Sequence, residues 1–167
     1  MRVLGIDCGS EITGYGVVEQ APNDSLQFVA AGAIRLSLKE PLPSRLAQVF
    51  HDLNAVLQKY APDTVAIEDV FYAANAKSAL KLGHVRGVAM LAAATYNLQV
   101  AEYAPLAIKS AVVGYGRAEK SQVQQMVAHL LKMEKPPEPH DVADALAIAI
   151  CHLHTAATLL RQRAAAH

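Results

Sequence analysis

Arg2-Val3-Leu4-Gly5-Ile6-Asp7-Cys8-Gly9-Ser10 is an apolar run that ends in a carboxylate. Val3, Leu4 and Ile6 predict a buried β-strand, and Gly9 and Ser10 predict the turn that ends it. Ile12-Thr13-Gly14-Tyr15-Gly16-Val17-Val18 then reads as a second strand, so the chain opens with a β-hairpin. An ionised Asp at the end of a buried strand is costly without a partner. Either a cation or a donor-rich turn meets that need at Asp7, and Asp is also a common residue for capping a turn.

The pattern continues outward from this hairpin. Residues 26–38 alternate loosely and predict a third strand, antiparallel to the second. Pro41 and Pro43 interrupt the chain, and Ser44 is the expected N-cap of a helix with Leu46, Val49, Phe50, Leu53, Val56 and Leu57 at helical spacing. Asp63-Thr64-Val65-Ala66-Ile67-Glu68-Asp69 repeats the opening design, a short apolar strand ending in a carboxylate. A strand–helix–strand crossover places it parallel to the first strand and beside it. Asp7 and Glu68 then stand at the same end of neighbouring strands, where like charges need a cation or a shared proton.

Residues 71–75, with Phe71 and Tyr72, read as a loop bearing aromatics. A helix is expected over 77–96, with Gly83 and Gly87 four apart on one face; that spacing suits close packing, either within the chain or as the seam of a dimer. A short strand follows over 98–103, then a short helix through Lys109 to Val113 and a basic loop, Gly114-Tyr115-Gly116-Arg117. From Ala118 a further helix carries Val123, Met126, Val127, Leu130 and Leu131 as its core stripe. The rigid segment Lys135-Pro136-Pro137-Glu138-Pro139 precedes a last helix beginning at His140, with Pro139 where a first helical turn tolerates proline. Asp141 and Asp144 lie three apart on one face of its first turn, where the helix dipole favours ionised carboxylates. The tail beyond about Leu160 is expected to fray.

Composition sets outer bounds. A chain of 167 residues with an ordinary globular composition is expected to form one domain, 1–167, with a sizeable core. No apolar run approaches the roughly 18 residues of a membrane span. The start of the chain shows no signal-peptide pattern, so a cytoplasmic location is expected. Cys8 and Cys151 have neither a disulfide framework nor metal-ligand spacing. Net charge is zero, yet residues 70–125 hold six basic side chains (Lys77, Lys81, Arg86, Lys109, Arg117, Lys120) against Glu102 and Glu119. Such a stretch either holds a polyanion or forms a solvated face.

Four carboxylates therefore occupy notable positions: Asp7 and Glu68 at strand ends, Asp141 and Asp144 at a helix start. Hard divalent cations such as Mg²⁺ take oxygen ligands, often one or two carboxylates with phosphate oxygens and water. Two such ions about 4 Å apart can activate a water and stabilise the leaving oxygen of a phosphodiester. With a basic stretch in the same chain, the pattern points to a metal-dependent nuclease.

Longer motifs carry a family resemblance. Gly5-Ile6-Asp7-x-Gly9-Ser10, Thr13-Gly14-Tyr15-Gly16-Val17-Val18, Ala66-Ile67-Glu68-x-Val70-Phe71, Asn75-Ala76-x-Ser78-Ala79-Leu80-Lys81-Leu82-Gly83, Ala118-Glu119-Lys120-Ser121-Gln122-Val123 and 141–149 together resemble the RuvC Holliday junction resolvases, over about residues 1–154. The resemblance implies an α/β chain of RNase H-like fold, a five-stranded mixed sheet with its first three strands antiparallel and helices on both faces. It implies a homodimer that binds a four-way DNA junction and makes paired symmetrical nicks by metal-assisted hydrolysis, in DNA recombination and repair. The family's four acidic positions fall on Asp7, Glu68, Asp141 and Asp144, as catalytic residues and metal ligands, with two Mg²⁺ per subunit and Mn²⁺ as a substitute. Lys109 and Lys120 match positions used near DNA phosphates; Phe71 matches an aromatic that stacks on junction bases. Lys77, Lys81 and Arg117 complete the expected DNA-binding set, and the expected cellular partners are RuvA and RuvB.

Two positions depart from the family pattern. Cys8 stands where relatives usually have Pro, which alters turn rigidity and introduces a thiol open to oxidation. Some relatives carry His at the position of Asp141; this chain has His140 and Asp141 side by side. The Asp-x-x-Asp spacing favours Asp141 as the ligand and leaves His140 as a proton acceptor or an N-terminal cap. The opening Gly-Ile-Asp-x-Gly-Ser also resembles the first phosphate loop of actin-like ATPases and sugar kinases, but those need two such domains and a second loop. A junction-binding module without activity is a further alternative, against which the carboxylate set is complete.

Overall fold

The computed structural model describes residues 1–69 and 76–165, apart from some side chains of the last helical turns. The elements in chain order are β1 (Arg2–Asp7), β2 (Ile12–Gln20), β3 (Leu26–Arg35), α1 (Leu42–Tyr60), β4 (Thr64–Glu68), α2 (Ala76–Thr95), β5 (Val100–Tyr103), α3 (Pro105–Val113), α4 (Lys120–Leu130) and α5 (His140–Ala165). The five strands form one sheet in the order β3-β2-β1-β4-β5. β2 pairs antiparallel with β1 on one side and with β3 on the other, and β4 and β5 run parallel to β1. This is the RNase H-like arrangement expected from the sequence.

Strand alternation divides the core into two halves. Leu4, Ile6, Val65 and Ile67 face one way and bury against α1 and α2. Val3 and Ala66 face the other way, toward α3, α4 and α5. Gly5 and Asp7 share the parity of Val3, and Glu68 shares that of Ala66, so both strand-end carboxylates look toward α5.

α5 lies unusually close to the sheet because glycines let it. A Cβ on Gly5 would run into the backbone of Ala145 and come 2.8 Å from the Ala149 nitrogen. A Cβ on Gly14 would collide with the carbonyl of Asp141 and lie 3.0 Å from the Val142 nitrogen. Glycine within a strand commonly marks such an approach. Pressed between the sheet and the α3–α4 layer, α5 is buried on nearly every side from Val142 to Leu153.

Several boundaries differ from the sequence-based expectation. Ser44 does not cap α1: the helix starts at Leu42 after Pro41, and no side chain caps it. Pro43 fits inside the first turn because that turn leaves its N–H groups unpaired anyway. β3 ends at Arg35, three residues early, and α5 continues to Ala165, past the expected fraying at Leu160. Pro139 stands just before α5, where its carbonyl accepts the Val142 N–H at 3.0 Å. α4 is opened by Glu119 and Gln122, which cap each other's backbone reciprocally. Among the described residues nothing packs on Gly83 or Gly87, since an added Cβ at either would meet nothing there within 4 Å.

Candidate active site

The carboxyl ends of β1 and β4 meet the first turn of α5 at a cavity of about 270 Å³. It is lined by Asp7, Glu68 and Asp144, by Lys109 and Lys120, and by an apolar wall of Pro105, Ile108, Val123 and Ile148. Asp7 and Glu68 reach the cavity because β1 and β4 pair in parallel, with Ile6 opposite Ile67 one residue before each carboxylate. Asp144 arrives from α5, held against the sheet by Gly5 and Gly14. Lys109 comes from α3, and Lys120 is the first residue of α4.

Negative charge outweighs the two lysines at the buried end of the cavity, around Asp7 and Glu68. The Asp7 carboxyl is pushed up to about 7, first by burial and then by the charges of Asp144, Glu68 and Asp141; Lys120 offsets part of this. Burial and Asp144 likewise raise Glu68, while Lys120 and Lys109 pull it down. The Lys120 ammonium lies 3.5 Å from Asp144 Oδ2. Among the described residues no three His, Cys, Asp or Glu side chains are already drawn together as a metal cage. Mutually repelling carboxylates have no cause to close ranks without a counter-ion. An all-oxygen donor set in which burial and neighbouring charge resist the ionisation of Asp7 and Glu68 fits a hard divalent cation, which would relieve that repulsion.

Each residue expected from sequence can be placed, with one exception. Asp7, Glu68, Asp144, Lys109 and Lys120 are brought together. Asp141 does not line the cavity, yet its charge is close enough to act on Asp7. His140 is exposed at the start of α5. Lys77 and Lys81 are exposed on α2, and Arg117 is exposed between α3 and α4; none of the three lines the cavity. Phe71 and the rest of the expected aromatic loop lie outside the described residues.

Two neighbours behave differently from the expectation. Burial and the adjacent Asp7 charge push the Cys8 thiol up to about 12, which favours its protonated form at neutral pH, although the residue stays partly exposed. Arg86, counted within the basic stretch, is engaged inside the protein with Asp69 and Glu102. The apolar wall also went unread in the sequence, since Ile108, Val123 and Ile148 are indistinguishable there from other core residues.

The chain matches the family model for "Crossover junction endodeoxyribonuclease RuvC" over residues 3–152. The crossover junction endodeoxyribonuclease RuvC of Koribacter versatilis is 65% identical over 166 residues, covering 99% of this chain and all of the relative. That of Acidobacterium capsulatum is 59% identical, covering 98% and 99%. Among solved structures, Thermus thermophilus RuvC in complex with a Holliday junction substrate superposes with a TM-score of 0.87 at 30% identity, covering 95% of this chain and 96% of that one. Sequence motifs, sheet order and full-length similarity thus agree, and the chain belongs to the RuvC family of crossover junction endodeoxyribonucleases.

Proposed function

We propose that this protein, residues 1–167 acting as one nuclease domain, resolves Holliday junctions by paired symmetrical nicks in DNA recombination and repair. The observation that carries the reading is the convergence of Asp7, Glu68 and Asp144 with Lys109 and Lys120 in one cavity, in a chain of the RuvC family. Asp7, Glu68, Asp141 and Asp144 would hold Mg²⁺, two ions per subunit, with Mn²⁺ as a substitute. When bound, such a pair supplies activation of a water and stabilisation of the leaving oxygen of the phosphodiester.

The chain's own residues do the rest. Asp7, at the centre of the repulsion, holds its place between the other carboxylates because β1 is the middle strand of the sheet. Lys109 and Lys120 flank the carboxylates and orient the scissile phosphate by charge. The apolar wall limits access of bulk water from the α3–α4 side. Lys77, Lys81 and Arg117 extend the positive charge along the DNA backbone, and Phe71 stacks on junction bases. His140 stands at the rim as an accessory group.

Paired cuts need two such sites, and α2 offers a seam for a second copy. Leu80, Gly83, His84, Gly87 and Leu91 follow i, i+3, i+4 spacing on its exposed face, and Leu80 and Leu91 are 66% and 56% exposed. A two-fold pairing of this face would supply the second cavity that paired cuts require. The cellular setting is the cytoplasm, with RuvA and RuvB as partners.

The test is a nicking assay on a synthetic four-way junction, with and without divalent cation. Symmetrical, cation-dependent nicks with ligatable ends are expected. Tight junction binding with no cutting in Mg²⁺ or Mn²⁺ would instead assign the chain as an inactive binding module.

A further inference from the structure

Arg86 is a cation that the fold uses behind the site. It rises from α2 with its side chain only 19% exposed. Its Nε donates to the main-chain carbonyl of Glu68 at 3.3 Å, and Nη2 donates to Asp69 Oδ1 at 3.4 Å. The same Nη2 also meets the Glu102 carboxylate on β5. The planar guanidinium thus grips the last residue of β4, the residue after it and the neighbouring strand at once.

Glu68 needs such a grip. It is the final residue of a five-residue strand, and pairing to β5 ends beside it at Tyr103, with the Asp69 N–H reaching the Tyr103 carbonyl at 2.8 Å. Asp69 and Glu102 add two negative charges next to it, which repel each other unless a cation stands between them. A guanidinium satisfies a carbonyl and two carboxylates through a fixed fork; an ammonium on a flexible stem does not reproduce that geometry.

We infer that Arg86 is a positioning residue, clamping the carboxyl end of β4 so that the Glu68 side chain is presented to the cavity. The inference rests on the reading of Glu68 as a cation-holding carboxylate. It also places the clamp on the same helix that carries the proposed subunit seam.

The test uses the full chain with Arg86→Lys, Arg86→Gln and Glu102→Gln. Mn²⁺ binding to the protein alone is read from the spin-resonance signal of free Mn²⁺, junction affinity is measured in EDTA, and nicking is measured against Mg²⁺ concentration. Loss of an outer-layer partner of a metal ligand typically weakens the metal by about 10–100-fold. Arg86→Lys is expected to weaken Mn²⁺ binding about tenfold or more and to raise the Mg²⁺ requirement in parallel. Junction affinity should stay within about twofold, and Glu102→Gln should show a smaller loss in the same direction. Wild-type Mn²⁺ affinity in Arg86→Lys overturns the inference. So does an activity loss fully accounted for by weaker junction binding, which would make Arg86 a DNA contact. If Arg86→Gln does not fold, the other two variants decide on the same criteria. A wild-type protein that binds Mn²⁺ without nicking junctions would overturn the nuclease reading while leaving the comparison of Mn²⁺ affinities intact.

Discussion

The Lys120 ammonium stands 3.5 Å from Asp144 Oδ2, joining the first residue of α4 to the first turns of α5 across the mouth of the cavity. Its side chain is 70% exposed, so the bond adds little to stability. On the proposed function, it brings positive charge next to the carboxylates that would receive the DNA phosphate. Lys120→Ala should weaken junction binding and lower the slope of log affinity against log salt by about 1. Fluorescence anisotropy in EDTA across a salt series reads this; an unchanged slope would remove Lys120 from the phosphate contacts.

Asp7 carries a pH signature. Its carboxyl is raised from 3.8 to about 7, so the folded chain prefers it neutral. That preference adds stability which is fully present below about pH 4 and is lost as pH rises through 7. At about 1.4 kcal/mol per pH unit of displacement, the difference amounts to about 4 kcal/mol. Urea unfolding in EDTA should therefore show wild type losing ground to Asp7→Asn between pH 4 and pH 8. Divalent cation should restore wild type and not the variant. Asp7→Asn should keep junction binding and lose cutting; equal loss of both would point to a folding role.

Gly14 is where α5 touches β2. Gly14→Ala would force its methyl into the Asp141 carbonyl, backbone that cannot rotate aside. We expect destabilisation of about 3 kcal/mol, at the upper end of overpacking effects, read by urea denaturation. A nicking loss should follow even where the variant is folded, because α5 carries Asp141 and Asp144. Unchanged stability would mean that the helix can retreat from the sheet.

Gly87 tests the seam. Among the described residues an added Cβ there meets nothing within 4 Å, so Gly87→Glu should leave the subunit folded, and the helix should gain a few tenths of a kcal/mol. Between copies, the same change buries a charge. Sedimentation should show the variant shifting toward monomer at concentrations where wild type is dimeric. A dimer of wild-type affinity would place the seam elsewhere.

Tyr103 and His152 form a half-buried polar pair, with the Tyr hydroxyl 2.8 Å from Nδ1 and the rings edge to face. Burial lowers the His152 imidazole below its ordinary range. Its contribution to stability is thus present above about pH 6.5 and lost as pH falls through its lowered range, the opposite sense to Asp7. Tyr103→Phe should cost about 0.5–1.5 kcal/mol by removing the hydrogen-bond partner of Nδ1. Thermal unfolding at pH 8 reads the loss, and a cost below about 0.5 kcal/mol would show that water replaces the hydroxyl.

The four carboxylates were legible because each sits at an element terminus, where local pattern alone predicts strand ends and a helix start. Parity along β1 and β4 already put Asp7 and Glu68 on one face, and the crossover rule put the strands side by side. The basic stretch was legible as composition, and the family resemblance singled out Lys109 and Lys120; no local pattern by itself distinguished these two, which line the cavity, from Arg86, which is tied to Asp69 and Glu102. The same holds for the glycines. Gly5 and Gly14 admit α5 to the sheet, whereas Gly83 and Gly87 face outward, although all four look alike as letters.

Order of elements, direction of strands and the acidic termini follow from interactions a few residues long, so the amino-acid sequence by itself determined them. Which cation is tied down and which glycine is overlain were decided only by tertiary structure. Those outcomes depend on the group that arrives from a distant part of the chain, and the charge and volume of that neighbour are fixed only once the layers have packed.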